Sequence, residues 1–273
     1  MPESRNILLV GCGKMGGAML RGWLARGIDS ADVRVVEPFD AAAEVLRSEL
    51  SVPVVSAATD LDPGFAPDIV VFAVKPQGMD DIVPSYAGHL IADAVVLSIA
   101  AGRNIGFFEK HLGRDIAIVR TMPNTPAAVG RGITAACAND EVSVDQRSVC
   151  QSLLEAIGEV VWVEDESLID PVTAVSGSGP AYVFLMIECL ARAGKAQGLP
   201  PDTAEKLARA TVAGSGELAR VSDESAETLR VNVTSPGGTT AAALEVLMEE
   251  EGLGRLMDRA VDAATRRSRE LAG

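Results

Sequence analysis

The chain has 273 residues, 48% hydrophobic and 23% charged, an ordinary globular composition for one large or two medium domains. Its 24 Lys and Arg against 38 Asp and Glu leave a formal charge of −14, which argues against nucleic acid or an anionic membrane surface as partner, since both need a basic face. Uninterrupted apolar runs fall short of the roughly 18 residues that cross a bilayer, the first run, Ile7–Val10, ends in glycines rather than building a secretory signal, and four dispersed cysteines with only two histidines point to a reduced cytoplasmic protein without disulfides, metal site or histidine triad.

The first half alternates β-rich runs with helical patterns. Ile7–Val10, Val33–Glu37, Ile69–Val74, Val95–Ala100 and Ile116–Arg120 are rich in Val and Ile and mostly lack polar alternation, as parallel strands buried on both faces do. Helical spacing fits Met15–Arg26, Asp40–Leu50 and Ile105–Leu112. The alternation predicts an α/β, Rossmann-type doubly wound sheet. Ile133–Ala138 and Val160–Val163, flanking a helix over Asp145–Ile157, extend the sheet at one edge. Beyond Val163 the strand signals stop. The expected division is a dinucleotide-binding domain over residues 1–163 and an all-α domain over 164–273. Tyr182–Leu190 is apolar on nearly every face and predicts a helix buried all round. Leu253, Leu256, Met257, Ala260, Val261 and Ala264 mark an amphipathic helix near the end.

Gly11-Cys12-Gly13-Lys14-Met15-Gly16 matches GxGxxG between the first strand and first helix. Gly11 makes the turn, Gly13 admits a pyrophosphate close to backbone, Gly16 lets helix pack on sheet, and the helix N-terminus supplies N–H groups and positive dipole. Glu37, 21 residues after Gly16, suits the adenosine ribose hydroxyls and repels a 2′-phosphate, favouring NADH; Arg34 is close enough in sequence to serve a phosphate, which keeps NADPH open. Ala73-Val74-Lys75-Pro76 and Ser98-Ile99-Ala100-Ala101-Gly102 lie at strand carboxyl ends, where ligands bind in such sheets. Arg120-Thr121-Met122-Pro123-Asn124-Thr125-Pro126 reads as a stiff, non-helical connection. Ser176-Gly177-Ser178-Gly179-Pro180 opens the apolar helix. Ser235-Pro236-Gly237-Gly238-Thr239-Thr240 precedes an Ala/Leu-rich helix over Thr239–Met248. Ser or Thr caps that helix, and the glycines leave N–H groups at a dipole-positive end that suits a carboxylate.

In order, Gly-Cys-Gly-Lys-Met-Gly, Ala-Val-Lys-Pro, Ser-Ile-Ala-Ala-Gly, Arg-Thr-Met-Pro-Asn-Thr-Pro, Ser-Gly-Ser-Gly-Pro-Ala-Tyr and Ser-Pro-Gly-Gly-Thr-Thr strongly resemble the pyrroline-5-carboxylate reductase family over Ile7 to about Leu271. The resemblance implies reduction of 1-pyrroline-5-carboxylate by NAD(P)H to L-proline, the last step of proline synthesis. Cofactor contacts are then expected from Ala73–Pro76 and Ile99–Ala101, beside those read above from Gly11–Gly16 and from the position of Glu37. The resemblance implies that Ser235, Gly237, Gly238 and Thr239 receive the substrate carboxylate and that Thr240 hydrogen-bonds the ring nitrogen. Asp223 stands where the family often has Glu near the substrate. Asn232 matches a position that reaches the cofactor from the neighbouring subunit. The family is dimeric through its helical domain, and some members form rings of dimers. Glu37 is the clearest departure, because many members prefer NADPH. A β-hydroxyacid dehydrogenase shares a similar loop but usually needs a lysine in its helical domain; here Lys195 and Lys206 lie outside the glycine-rich loop. A non-catalytic dinucleotide sensor is the other alternative, against which the intact Ser235–Thr240 loop speaks.

Overall fold

The structure is a computed structural model and describes residues 5–272. Eight strands, β1 Ile7–Val10, β2 Val33–Val36, β3 Val54–Val55, β4 Ile69–Phe72, β5 Val95–Ser98, β6 Ala117–Met122, β7 Gly132–Ala138 and β8 Gly158–Trp162, form one sheet in the order β3-β2-β1-β4-β5-β6-β7-β8. β1 to β6 are parallel, β7 runs against β6, and β8 is parallel to β7. The helices are α1 Lys14–Ala25, α2 Asp40–Leu50, α3 Met79–Ile82, α4 Ile105–Leu112, α5 Val144–Glu155, α6 Ile169–Val172, α7 Gly179–Ala196, α8 Pro201–Val221, α9 Ala226–Asn232, α10 Thr239–Leu247 and α11 Leu253–Ala272.

The chain forms two compact units. One runs through Gly177 and regains the chain from Thr265; the other is Ser178–Ala264. In the first, side chains alternate between two cores. Leu9, Val71, Leu97 and Val119 face one layer with Met19, Leu20, Trp23 and Leu153 from α1 and α5. Leu8, Val70, Val96 and Ile118 face the other with Met79, Tyr86 and Phe108. Both faces are covered, the condition a parallel sheet requires. Each large apolar side chain so buried contributes about 1.5–3 kcal/mol. The Trp23 indole N–H donates to the Leu153 carbonyl at 2.9 Å, so its one polar atom is satisfied. The Ser268 hydroxyl donates to Asp170 at 2.6 Å, joining the returning segment to the rest of this unit.

In the second unit α7 and α8 are joined by a four-residue turn in which Gly198 takes φ +92°. Ala191, Ala204 and Ala208 are its buried apolar side chains among the described residues, and a Cβ on Gly194 would lie 3.4 Å from that of Ala204. Small side chains set the close approach of these helices.

Four expectations are corrected. β3 is an unforeseen strand, two residues long beside Pro53, which lacks the donor an inner strand needs and belongs at an edge. Thr125–Val129 is a short 3₁₀ helix, not a non-helical loop, because Pro126 suits a first helical turn. Tyr182–Leu190 is not buried all round: Phe184 is 58% and Leu185 56% exposed, so much of its apolar surface is open among the described residues. Finally, the 31 residues Glu166–Ala196, helical except at Ser178, include a window of mean hydropathy 1.4 and by length and composition alone are apolar enough to cross a membrane. Interspersed Gly, Ser and Thr hide this from a count of uninterrupted apolar residues.

Candidate functional site

Sheet order reverses at β1, which pairs with β2 on one side and β4 on the other. In open α/β sheets the ligand crevice lies at such a switch point, beyond the strand carboxyl ends. Gly11 ends β1 at φ +83°, and a Cβ there would lie 2.6 Å from Val74 Cγ1. A Cβ on Gly16 would lie 2.5 Å from the Gly11 carbonyl oxygen and 3.1 Å from Ala73 Cβ. These two glycines are demanded by the chain itself. Gly13 differs: its φ is −67° and a Cβ would meet nothing within 4 Å. Neither conformation nor packing requires glycine there, which fits a ligand pressing on this backbone from outside. α1 begins at Lys14 without a side-chain cap or an acid in its first turn, leaving N–H groups and dipole free for an anion.

Glu37 follows β2 and is buried. Its Oε2 accepts the Cys12 N–H at 3.0 Å and its Oε1 the Phe39 N–H at 3.2 Å. The carboxylate therefore pins the glycine loop, and each oxygen keeps acceptor capacity beyond these bonds. Burial, reinforced by the Glu37 charge and opposed by Arg21, pushes the Cys12 thiol up to about 12, so it remains neutral beside the loop. Arg34, read as a possible phosphate ligand, is committed elsewhere. Its guanidinium donates to the carbonyls of Ala31, at 2.7 Å, and Val33, at 3.1 Å, and stacks over Phe65. Those carbonyls lie at the opening of β2, whereas Glu37 lies beyond its other end.

β4 and β5 end two residues earlier than their apolar runs, so Ala73–Pro76 and Ile99–Ala101 lie in the turns that follow. The Ala73 N–H donates to Val10 at 2.8 Å, holding this turn beside the glycine loop. Lys75 is exposed and Ala100 buried, its N–H given to Ser98 Oγ at 3.2 Å. Arg103 joins the two turns. It donates twice to the Pro76 carbonyl, at 3.2 and 3.0 Å, pairs with Asp80 and stacks 4.6 Å from the Phe107 ring. Sequence reasoning missed Arg103; its only signal was a basic residue directly after the Ala-Ala-Gly turn.

In the second unit, Gly237 takes φ +67° and Gly238 precedes α10 as its N-cap, with its N–H given to the Ser235 carbonyl at 3.0 Å. The expected Ser or Thr cap is not formed: no side chain caps α10 and no acid lies in its first turn. Glycine supplies the extended entry without an oxygen, and the N–H groups stay open. Ser235, Gly237 and Thr239 are exposed, and Gly238 and Thr240 half-buried. Asn232 ends α9 and donates to Glu224 at 3.2 Å, next to exposed Asp223. The predicted cofactor residues other than Asn232 thus gather in the first unit. The predicted substrate residues and Asn232 gather in the second.

Residues 166–271 match the family described as pyrroline-5-carboxylate reductase dimerisation. Residues 6–102 match the family described as NADP oxidoreductase, coenzyme F420-dependent. A pyrroline-5-carboxylate reductase of Pseudomonas aeruginosa is 37% identical, over 98% of this chain and 97% of its own. The structure of a pyrroline-5-carboxylate reductase from Coxiella burnetii has a TM-score of 0.93 at 35% identity, over 99% of this chain and 100% of its own. The structure of Plasmodium falciparum pyrroline carboxylate reductase with NADP bound has a TM-score of 0.83 at 30% identity, over 99% of each chain. Similarity of this depth over the full length of both the dinucleotide sheet and the helical unit leaves neither a β-hydroxyacid dehydrogenase nor a non-catalytic sensor as the reading: the chain belongs to the pyrroline-5-carboxylate reductase family of NAD(P)H-dependent oxidoreductases.

Proposed function

We propose that this chain reduces 1-pyrroline-5-carboxylate to L-proline with NADH as the better donor, as a cytoplasmic homodimer joined through its helical unit. The observation that carries the substrate reading is the uncapped α10 N-terminus behind Gly237 and Gly238. N–H groups there take the substrate carboxylate, aided by Ser235 and Thr239. Thr240 gives its hydroxyl proton to a hydrogen bond with the ring nitrogen and accepts one from the product amine. Asp223 lies near the substrate and Asn232 reaches the cofactor of the neighbouring subunit. In the other unit, Gly11–Gly16 holds the pyrophosphate, with Cys12 and Glu37 fixing the loop and Lys14 and Met15 opening α1. Ala73, Val74, Lys75 and Pro76 flank one side of the crevice and Ile99, Ala100 and Ala101 the other. The bound dinucleotide supplies the hydride to the imine carbon, and solvent supplies the proton. The residues' work is alignment of two reactants and exclusion of wrong geometries.

The NADH preference rests on Glu37 and on Arg34 being occupied elsewhere. The dimer rests on the exposed apolar surface of α7 and on the dimerisation family matched there. The test is initial rates with 1-pyrroline-5-carboxylate and each dinucleotide in parallel. NADH is expected to give the higher kcat/KM, and Glu37→Ser to move the ratio toward NADPH. A wild-type enzyme strongly preferring NADPH overturns the reading of Glu37; no turnover with either dinucleotide overturns the whole assignment.

A further inference from the structure

Phe39 is 73% exposed at the N-cap of α2, whereas Phe72 and Phe108 are fully buried in the sheet layers. A single exposed apolar side chain is ordinary; the setting of this one is not. Its backbone N–H is held by Glu37 Oε1 at 3.2 Å, and the same carboxylate holds the Cys12 N–H at 3.0 Å through Oε2. Pro38 fixes φ in between. Glycine loop, carboxylate and the Phe39 backbone are therefore one connected group.

A dinucleotide is built in the same order: pyrophosphate, ribose, adenine. With the pyrophosphate over Gly13 and the ribose hydroxyls on Glu37, the base emerges beside the residues that follow Glu37. Pro38 and Phe39, both exposed, are the first apolar surface there. We propose that the Phe39 ring is the platform on which the adenine of the cofactor stacks. The inference rests on the dinucleotide reading of Gly11–Gly16 and Glu37 and adds the residue that recognises the base. Stacking on an aromatic ring uses the π-face of the purine and ignores the 2′ substituent, so NADH and NADPH share the contact. Glu37 sets which dinucleotide binds; Phe39 sets how tightly adenine-bearing ligands bind at all.

The decisive measurement is calorimetric binding of ADP-ribose, which carries the adenosine and pyrophosphate but no nicotinamide. Phe39→Ala is expected to weaken it roughly ten- to a hundredfold, the scale of one base–aromatic stack. Phe39→Trp is expected to restore it. The KM for NADH is expected to rise with Phe39→Ala, while that for reduced nicotinamide mononucleotide, which lacks adenosine, moves less than twofold. ADP-ribose binding within twofold of wild type in Phe39→Ala overturns the proposal and leaves the dinucleotide site standing. An equal loss with the mononucleotide also overturns it, because a general distortion of the crevice is then the cause. A wild-type protein that binds no ADP-ribose overturns both the platform and the dinucleotide reading.

Discussion

Thr240 carries the most specific chemical expectation. A backbone amide can donate to the imine nitrogen but cannot then accept from the product amine; a hydroxyl does both. Thr240→Ala is expected to lower kcat/KM by roughly ten- to a thousandfold, the scale of one positioned donor near a reacting centre. Thr240→Ser should retain much of the activity, and dinucleotide affinity measured by fluorescence should stay near wild type. Turnover of a folded Thr240→Ala enzyme at the wild-type rate removes the residue from the mechanism. Cys150 gives a pH expectation. Burial pushes its thiol from 9.0 up to about 12. The folded state thus favours the neutral thiol, and the unfolded state releases the proton first. Stability is unaffected by this group well below pH 9 and falls as pH rises from 9 toward 12, by up to about 1.4 kcal/mol per pH unit. Urea denaturation of Cys150→Ala between pH 8 and 11 should show a shallower alkaline decline than wild type; identical slopes would discard this cause.

Among the elements, α1 shows how one helix serves packing and binding at once. Its N-terminus is left open, while its other end meets α5, where a Cβ on Gly22 would lie 2.6 Å from the Ala156 carbonyl oxygen. Gly22→Ala gains about 1 kcal/mol of helix propensity but overpacks by about 1–3 kcal/mol. A lower Tm is expected. Gly17→Ala, whose nearest atom would be Cys12 O at 3.8 Å, should instead raise it. The reverse order of the two Tm values would refute this account of the contact. What the sequence discloses follows the same division. The strands of the parallel sheet are legible because burial on both faces makes them continuous apolar runs, and the open glycine position is legible because strand, turn and helix follow in order. β3 is too short and too close to Pro53 to leave a pattern. Arg34 and Arg103 are long side chains whose partners are fixed by rotamer and by distant backbone, so position alone misplaced the first and missed the second. The α7 surface reads as core because composition records that it is to be covered, not by what.

At the scale of the whole molecule, that exposed apolar surface is where a second copy is expected to bind. Phe184 and Leu185 are more than half exposed in the single chain, at the segment matched by the dimerisation family. Burying such a surface against a second copy would remove apolar area from water, and a two-fold pairing would close the contact. Light scattering at micromolar concentration should give a dimer. Leu185→Asp should move the equilibrium to monomer with helicity by circular dichroism retained. A wild-type monomer at that concentration contradicts the assembly. The charge of −14 gives each subunit the same sign, so a dimer formed this way is held by apolar burial against electrostatic repulsion and should tighten as salt is raised.

The return of the chain to the first unit at Thr265 has a consequence for biogenesis. Domains made during translation usually fold in order, each as it is completed. Here the sheet emerges first, but the segment bearing Ser268, which reaches Asp170, is synthesised only after all of Ser178–Ala264. The entropy of closing so long an intervening segment grows only logarithmically, about 0.6 kcal/mol per doubling, so the delay is one of time more than of stability. The nucleotide-binding unit therefore waits, nearly complete, for its final turns, and a stalled or truncated product would expose the surface those turns cover.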